Sequence, residues 1–575
     1  MPDTRFQRYC IKTLDRLGIH MAHTMPATHH EIVQRNQRQL IASIEHGELK
    51  PFFLWNLLVL FGLPLFALMT LRYKGSRYIR LGVFALIVSV AFEIIKCRRA
   101  LLGASGYMIG VVACYWVVWS AVLLIFNDVG KNFKRIERRA ISANTSKPDS
   151  SGFIDMDKDG DIHAADPDDN AISSSKNSGT QRSGDAGKIS TVDEQPSKGL
   201  LKKSEVFTWQ SYPQPFLHRL NWTFDLLSNT RGPQWNWRIS PMGPLPASVH
   251  AQLNPGKRDA SREANDSDVL DAKTRLKTEF ASFWKSYLAL DLLKVLMMRD
   301  PYFQGVVSPA PPPPFPFNYL PDIPVIIALY RHLITGFGIF AALNYATSFN
   351  PIIFLGLSMA FPDAARTLTS VPLDAPWLYS DAFGPFVITV LDQGLAGCWG
   401  QWWHQLFRAG FTNTGRWLLS FLPEKLATKR NVRRIVMTFV AFGLSGIIHA
   451  CGSHTQLGDT NPLGPFMFFI MQAVGIVIED TFKRVILPVM FPYNIPRWLR
   501  WTANSLFVAS WLFFSGHFVA DDFARGGVWI TEPVPFSPLR GLGLGVKGES
   551  WLTWEKPWFR SWKGDRWWER GLAVL

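Results

Sequence analysis

Cysteine is scarce in this sequence: five residues stand at positions 10, 97, 114, 398 and 451, two of them inside strongly apolar runs. Thiols scattered in that way do not form the framework of a disulfide-stapled secreted domain. Charge is sparse as well, with Asp, Glu, Lys and Arg making up 18% of the 575 residues, below the roughly 25% of a soluble domain. No internal repeat at solenoid periods is present. The first fifty residues are polar and mixed in charge, without an apolar core behind a basic start. That excludes a cleaved signal peptide and leaves the first apolar run to direct insertion.

Hydrophobic residues reach 47% and aromatics 14%. The mean hydropathy of +0.05 is mild only because a long polar insert dilutes very apolar segments. A helix crosses a hydrocarbon core with about 20 apolar residues. Residues 52–71 meet that standard without a charge, and 101–126 meet it with Tyr115, Trp116 and Trp119 near one end. Residues 81–95 form a shorter run that carries Glu93. Further apolar runs cover 323–343, 349–361, 435–451, 463–478 and 501–520, and one at 385–395 leads into an aromatic-rich segment. Only helices or closed barrels satisfy the backbone in lipid, and these runs are too long and apolar for barrel strands. The expected fold is an all-α polytopic membrane protein, a bundle of roughly eight or nine transmembrane helices with a cytosolic insert.

The net charge of +15 does not call for nucleic acid, because basic residues cluster beside the spans, at 72–80, 131–139 and 429–434. Positive-inside bias accounts for that placement. It puts the 72–80 turn and residues 131–320 in the cytosol, with Cys97–Arg99 as the exception on the opposite side. Four blocks follow: 1–126 with the first spans, a cytosolic connector at 127–320, a membrane core at 321–530, and a tail at 531–575. The connector holds an insert at about 141–200, rich in Ser, Asp, Asn and Gly, that lacks the apolar residues to fold. A stiff Pro-rich run at 308–316 enters the core. The six tryptophans of the tail (551, 554, 558, 562, 567 and 568) suit an interfacial segment.

Two motif matches carry no function. Asp155, Asp157, Asp159, Gly160 and Asp161 imitate the start of a calcium loop, but position twelve is Asp166 rather than Glu and no amphipathic helices flank it. Gly543, Gly545 and Gly548 fit G-x-G-x-x-G without the strand and helix a dinucleotide site needs.

The chemistry concentrates between 399 and 479. Trp402, Trp403, His404 and Gln405 lead to Phe407 and Arg408, and on a helix His404 and Arg408 share one face. Aromatics at a membrane interface with a snorkelling arginine would explain the rings, though not a His and a Gln among them. Ser445, Gly446 and His449 fall inside an apolar span, where an ionisable residue is costly and a functional hypothesis by default. A neutral histidine bonded to a neighbouring helix is the structural alternative. Zinc on His449, Cys451 and His454 lacks a fourth ligand and a standard spacing. Gln472 precedes Glu479 and Asp480 by two turns, and these acids face Lys483 and Arg484. A single intramembrane His without metal or nucleophile suits acyl transfer from a thioester to an alcohol. The thioester is already activated, and a neutral His takes the hydroxyl proton as the oxygen attacks.

Trp402-Trp403-His404-Gln405 followed by Ser445-Gly446-x-x-His449 resembles the paired signature of the membrane-bound O-acyltransferase superfamily, in its wax-synthase-like branch. Asn229-Thr-Arg231-Gly232-x-x-Trp235-Asn236-Trp237, Asp291, Arg299-Asp300-Pro301-Tyr302-Phe303, Gln472 and Glu479-Asp480 resemble the same branch, so the likeness covers about 200–530. Fungal members include acetyltransferases that decorate terpenoids and related secondary metabolites. The resemblance implies that His449 is catalytic, that His404 positions the acyl thioester or polarises its carbonyl, and that Trp403, Gln405, Arg408, Ser445 and Gln472 line the substrate site. It implies acetyl-CoA or another acyl-CoA as co-substrate, a hydrophobic alcohol as acceptor, no bound cofactor or metal, and residence in the endoplasmic reticulum membrane. Arg408 with Lys429, Arg430, Arg433 and Arg434 are the candidate partners of the donor's phosphates. Cys398 stands where the branch has a bulky aromatic, and the insert is longer than a usual connector. The alternatives are a wax-ester or sterol-ester synthase, a scaffold without activity, and a transporter using His449, Glu93 and Glu479. The last lacks paired repeats.

Overall fold

The computed structural model describes residues 29–70, 75–140, 205–255, 263–264, 270–321, 323–490, 495–546, 549–554, 558–564 and 566–574. The polar insert, its calcium-loop imitation and Gly548 lie outside the described residues. In chain order come α1 (His29–Glu45), β1 (Lys50–Phe53), α2 (Leu54–Met69), α3 (Ser76–Cys97), β2 (Arg98–Arg99) and α4 (Tyr107–Ala121), which a wider turn extends to Phe126. An antiparallel pair, β3 (Arg135–Ala140) and β4 (Glu205–Gln210), follows, then α5 (Phe216–Ser228) and α6 (Ala272–Met297). The core continues with α7 (Pro324–Ala360), α8 (Arg408–Leu419), α9 (Arg430–His454), α10 (Leu463–Thr481) and α11 (Arg497–Gly526), and ends in β5 (Phe559–Trp562) and β6 (Gly571–Val574).

Among the described residues six helices are long and apolar enough to cross a membrane: Ser76–Cys97, Tyr107–Phe126, Pro324–Ala360, Arg430–His454, Leu463–Met490 and Arg497–Gly526. Their environments differ. In the most apolar window of Tyr107–Phe126, 61% of the residues are buried in protein, against 17% in Ser76–Cys97. So α4 is the central helix and α3 turns Phe92, Leu86 and Leu81 outward. Helix α9 packs on α4, α8 and α10 with much of its apolar window left uncovered, and α10 packs in turn on α11.

Several expectations change. The runs 323–343 and 349–361 are one helix, α7, of 37 residues with Pro351 inside. The polar stretch between them does not break it because its side chains find partners. Asn344 donates to Ser282 Oγ (2.8 Å) and Ser286 Oγ (3.0 Å) of α6, and Ser348 donates back to the Asn344 carbonyl (2.8 Å). Helical proline is tolerated in membranes under such compensation. That partner helix, α6, runs through what the sequence suggests is plain connector. The 52–71 run starts its helix late, at Leu54, since 50–53 are a strand and Asn56 caps the turn by accepting from Phe53 N–H (2.8 Å). The weaker run at 81–95 belongs to a full 22-residue helix. The tail folds back as a strand pair, with β6 bonded both to β5 and to β1.

The misplaced Cys97–Arg99 charges have a structural explanation. Arg98 is buried and donates to the Pro51 carbonyl (2.9 Å) and to Glu93 (2.8 Å), which also meets Lys50. Arg99 is buried too, donating to the Ile95 carbonyl (3.0 Å) at the end of α3. Arginines that close a helix end in this way do not act as topogenic charge.

Candidate active site

His449 lies in the last third of α9, where Ser445, Gly446 and Ile448 turn into the protein. Its ring stacks on Phe469 of α10, with centroids 4.5 Å apart and planes 17° apart. Its Nδ1 is 2.5 Å from the hydroxyl of Tyr107, the first residue of α4. The site is thus built by three helices: α9 carries the imidazole, and α4 and α10 each present a side chain to it.

His404 sits elsewhere on the chain but in the same aromatic shell. The segment 398–402 is a wide helical turn that ends at Trp403, so His404 and Gln405 occupy an irregular link before α8 begins at Arg408. The helical face expected for His404 and Arg408 therefore does not exist. The reason is local: Gln405 turns inward and donates to the carbonyls of Trp399 (3.0 Å) and Trp403 (2.6 Å). Arg408 in turn bonds the Gly400 carbonyl (2.7 Å) and Gln405 Oε1 (3.1 Å). Both side chains brace the link.

A ladder of rings joins the two histidines. Trp403 packs on His404 and on Trp399, and Trp399 meets Phe469, the ring under His449. The histidines are close enough for a charge on one to act on the other. Trp399 also donates through Nε1 to Gln472 Oε1 (3.3 Å), and Gln472, fully buried, donates to Ser515 Oγ (2.9 Å) of α11. Glu479 receives the backbone N–H groups of Leu395 and Ala396 (both 3.1 Å) and pairs with Lys483 (3.0 Å). It anchors the start of the segment that carries the tryptophans. Glu93 and Glu479 thus hold separate structural partners.

His404 Nδ1 is buried without a hydrogen-bond partner among the described residues. The cation nearest in effect is Arg231, which the sequence supplies only as part of a motif. Arg231 donates to Ser380 Oγ (2.7 Å) and the Asp381 carbonyl (2.9 Å), while its Nε is buried with no partner among the described residues. Burial pushes its pKa down to about 10, with Asp381 opposing the change, so the guanidinium remains charged at neutral pH.

The other motif pieces are scaffold. Asp300 takes a two-pronged bond from Arg331 (3.0 Å twice). Asp291 binds Ser537 and the Leu539 N–H (3.0 Å), tying α6 to the tail. Asn229 accepts from Gly232 N–H (2.9 Å). Tyr107 is the residue that sequence reasoning missed; the signal was the turn Gly103-Ala-Ser-Gly106 directly before an apolar run. Among the described residues no group of three or more His, Cys, Asp or Glu side chains is arranged to hold a metal ion. A crevice of about 360 Å³ opens between α3, α9 and α10, lined by Phe92, Lys96, Ala450, Cys451, His454 and Phe466.

Comparison with known proteins finds a family match over the same stretch of chain. The model of the "Membrane bound O-acyl transferase family" matches residues 379–471. An "O-Mevalon transferase yanI" of Aspergillus niger is 27% identical over 279 residues, 46% of this chain and 53% of its own length. An "O-Mevalon transferase macI" of Penicillium terrestre is 26% identical over the same shares. "Acetyltransferase fsoF" of Humicola fuscoatra is 28% identical over 21% of this chain and 33% of its own length. The chain therefore spans about half the length of the first two relatives. No solved structure matches it. The stretch that matches the model of the membrane bound O-acyl transferase family holds His404, His449 and the braced link before α8.

Proposed function

We propose that this protein is a membrane O-acyltransferase that moves an acyl group, in the simplest case acetyl from acetyl-CoA, to the hydroxyl of a hydrophobic acceptor such as a terpenoid secondary metabolite. The observation that carries this is a His449 inside an apolar helix and held at Nδ1 by Tyr107. Two of the relatives are named for a mevalon group and another for acetyl, which makes the acyl group the variable part.

In this mechanism His449 Nε2 takes the proton of the acceptor hydroxyl as its oxygen attacks the thioester carbonyl. The C–S bond then breaks, and the proton on His449 passes to the departing thiolate. Ester and free thiol are the products, with no covalent enzyme intermediate. His404 donates to the thioester carbonyl, and the unpaired Nε of Arg231 favours an anionic or carbonyl oxygen beside it. Trp403, Gln405, Arg408, Ser445 and Gln472 shape that pocket, the polar ones mainly by holding the backbone around it. Exposed Lys429, Arg430 and Arg433 at the start of α9 are the partners for the phosphates of CoA. The acceptor arrives from the bilayer through the crevice beside Ala450 and Cys451. Because two expected spans form the single helix α7, entry of α2 and the segment 385–402 into the membrane brings the total to eight, and the endoplasmic reticulum is the compartment that fits.

The test uses microsomes carrying the wild type or His449→Ala, given radiolabelled acetyl-CoA or longer acyl-CoA and alcohols from terpenoid to fatty. Label entering an ester only with the wild type is the expected result, and the accepted pair names both substrates. No transfer from any donor refutes the proposal.

A further inference from the structure

The contact between α4 and α9 is closer than lipid-facing helices need, and it ends at the imidazole. A Cβ on Gly110 of α4 would come within 2.0 Å of the Cys451 carbonyl oxygen, and a Cβ on Gly452 of α9 within 2.8 Å of the Tyr107 ring. Small residues of this kind let helix backbones meet in a membrane. Thr455 fixes the register across the contact: its hydroxyl accepts from Gly110 N–H (3.1 Å) and donates to the Gly106 carbonyl (3.0 Å). The result delivers the buried Tyr107 hydroxyl to His449 Nδ1 at 2.5 Å.

Behind Tyr107 stands α11. Phe523 meets the Tyr107 ring edge-on at 4.9 Å, and the neighbouring Asp522 carboxylate acts electrostatically on the hydroxyl. Asp522 Oδ1 accepts from Ser453 Oγ (3.0 Å) and Asn461 N–H (2.8 Å), while Oδ2 is buried and has no partner among the described residues. A buried carboxylate oxygen without a donor is costly unless something nearby supplies a proton.

We infer that Tyr107 is a positioning residue for His449, setting its tautomer from α4, with Asp522 of α11 as the group that orients the tyrosine hydroxyl. Resting on the acyltransferase proposal, this deepens it. A histidine has one proton to place, and the bond made by one ring nitrogen decides the state of the other. With Nδ1–H donating to the tyrosine oxygen, Nε2 carries the lone pair that removes the alcohol's proton. When Nε2 gains that proton, both nitrogens donate, and the tyrosine oxygen accepts from the resulting imidazolium. The tyrosine O–H is then left to the field of the Asp522 carboxylate rather than to His449. No proton leaves Tyr107 at any step; it serves as a fixed dipole between a base and a carboxylate. The arrangement draws on three helices, one of them in the N-terminal block, which lies outside the stretch 379–471 that the family model matches.

The test is Tyr107→Phe in the full chain, which keeps the ring against Phe523 and Gly452 and removes only the oxygen. With the acyl donor and alcohol that the wild type uses, kcat falls on the order of 10- to 100-fold, a part of the 10²–10⁴ that a positioned base contributes. KM for both substrates and protein abundance in the membrane stay within about twofold of wild type. In a His449→Ala background, adding Tyr107→Phe lowers the residual rate no further, whereas a merely structural tyrosine would lower it again. A wild type that transfers while Tyr107→Phe matches its kcat overturns this inference alone. A fall in kcat with an equal loss of abundance, or fully additive losses in the double variant, also overturns it. A wild type inactive with every donor would overturn the acyltransferase proposal instead.

Discussion

His449 and His404 share one aromatic shell and are held in opposite ways. His449 rides on a 25-residue helix, and its Nδ1 is taken by Tyr107. His404 hangs in a link between a wide turn and α8, and its Nδ1 is buried with no partner among the described residues. One imidazole is fully specified before substrate arrives; the other waits for something to bond. That difference fits a division of labour in which the rigid group moves a proton and the unpaired one meets the acyl donor. The frame around each follows suit. Helices α4, α9 and α10 close on His449 through backbone-level contact, while the His404 link is stitched by side chains: Gln405, Arg408, Trp399 and Gln472.

The comparison breaks most readily at His449 itself. His449→Ala is expected to remove transfer by about 10²–10⁴, the share of a general base, with membrane abundance unchanged on immunoblots. Loss of the protein along with the activity would make His449 a packing residue. His404→Ala comes next: turnover is expected to fall on the order of 10- to 100-fold with a raised KM for acyl-CoA and an unchanged KM for the alcohol, read from initial rates. An effect on the alcohol side alone would reverse the assignment of the two histidines. Gln472→Ala is a smaller lesion. It strands Trp399 Nε1 and loosens Ser515, costing about 1–3 kcal/mol for a buried unpaired group. A lower melting temperature in detergent with turnover reduced only severalfold is the expected pattern. The smallest effect belongs to deletion of 145–195. Because Ala140 and Glu205 are opposite each other in a strand pair, the segment leaves and returns at one point, and transfer should stay within about twofold. A folding defect there would contradict the sequence's account of the insert.

How much of this is legible in the sequence depends on whether the determinant is composition or contact. The apolar runs announce spanning helices because lipid demands them, and α9, α10 and α11 lie where hydropathy puts them. Hydropathy fails where a neighbour decides the outcome. Asn344 looks like a break until the serines of α6 receive it, so α7 runs straight through. Arg98 and Arg99 look topogenic until their carbonyl partners are seen. The site shows the same split. His449 stands out because an ionisable residue in a span is rare, and His404 because rings crowd it. Tyr107 is silent in the sequence, since a tyrosine opening an apolar helix is ordinary at a membrane interface. Its meaning comes only from the contact across 342 positions of chain. Asp291, Asp300 and Glu479 look like chemistry and prove to be anchors for the tail, for α7 and for the link.

The division of labour is tested most directly by equilibrium binding of labelled acyl-CoA to the purified full-length protein in lipid nanodiscs, comparing wild type, His449→Ala and His404→Ala. The account predicts that His449→Ala binds donor within about twofold of wild type while transferring it about 10²–10⁴ times more slowly, and that His404→Ala binds at least several-fold more weakly. Equal binding by His404→Ala and wild type, together with lost binding in His449→Ala, would contradict it.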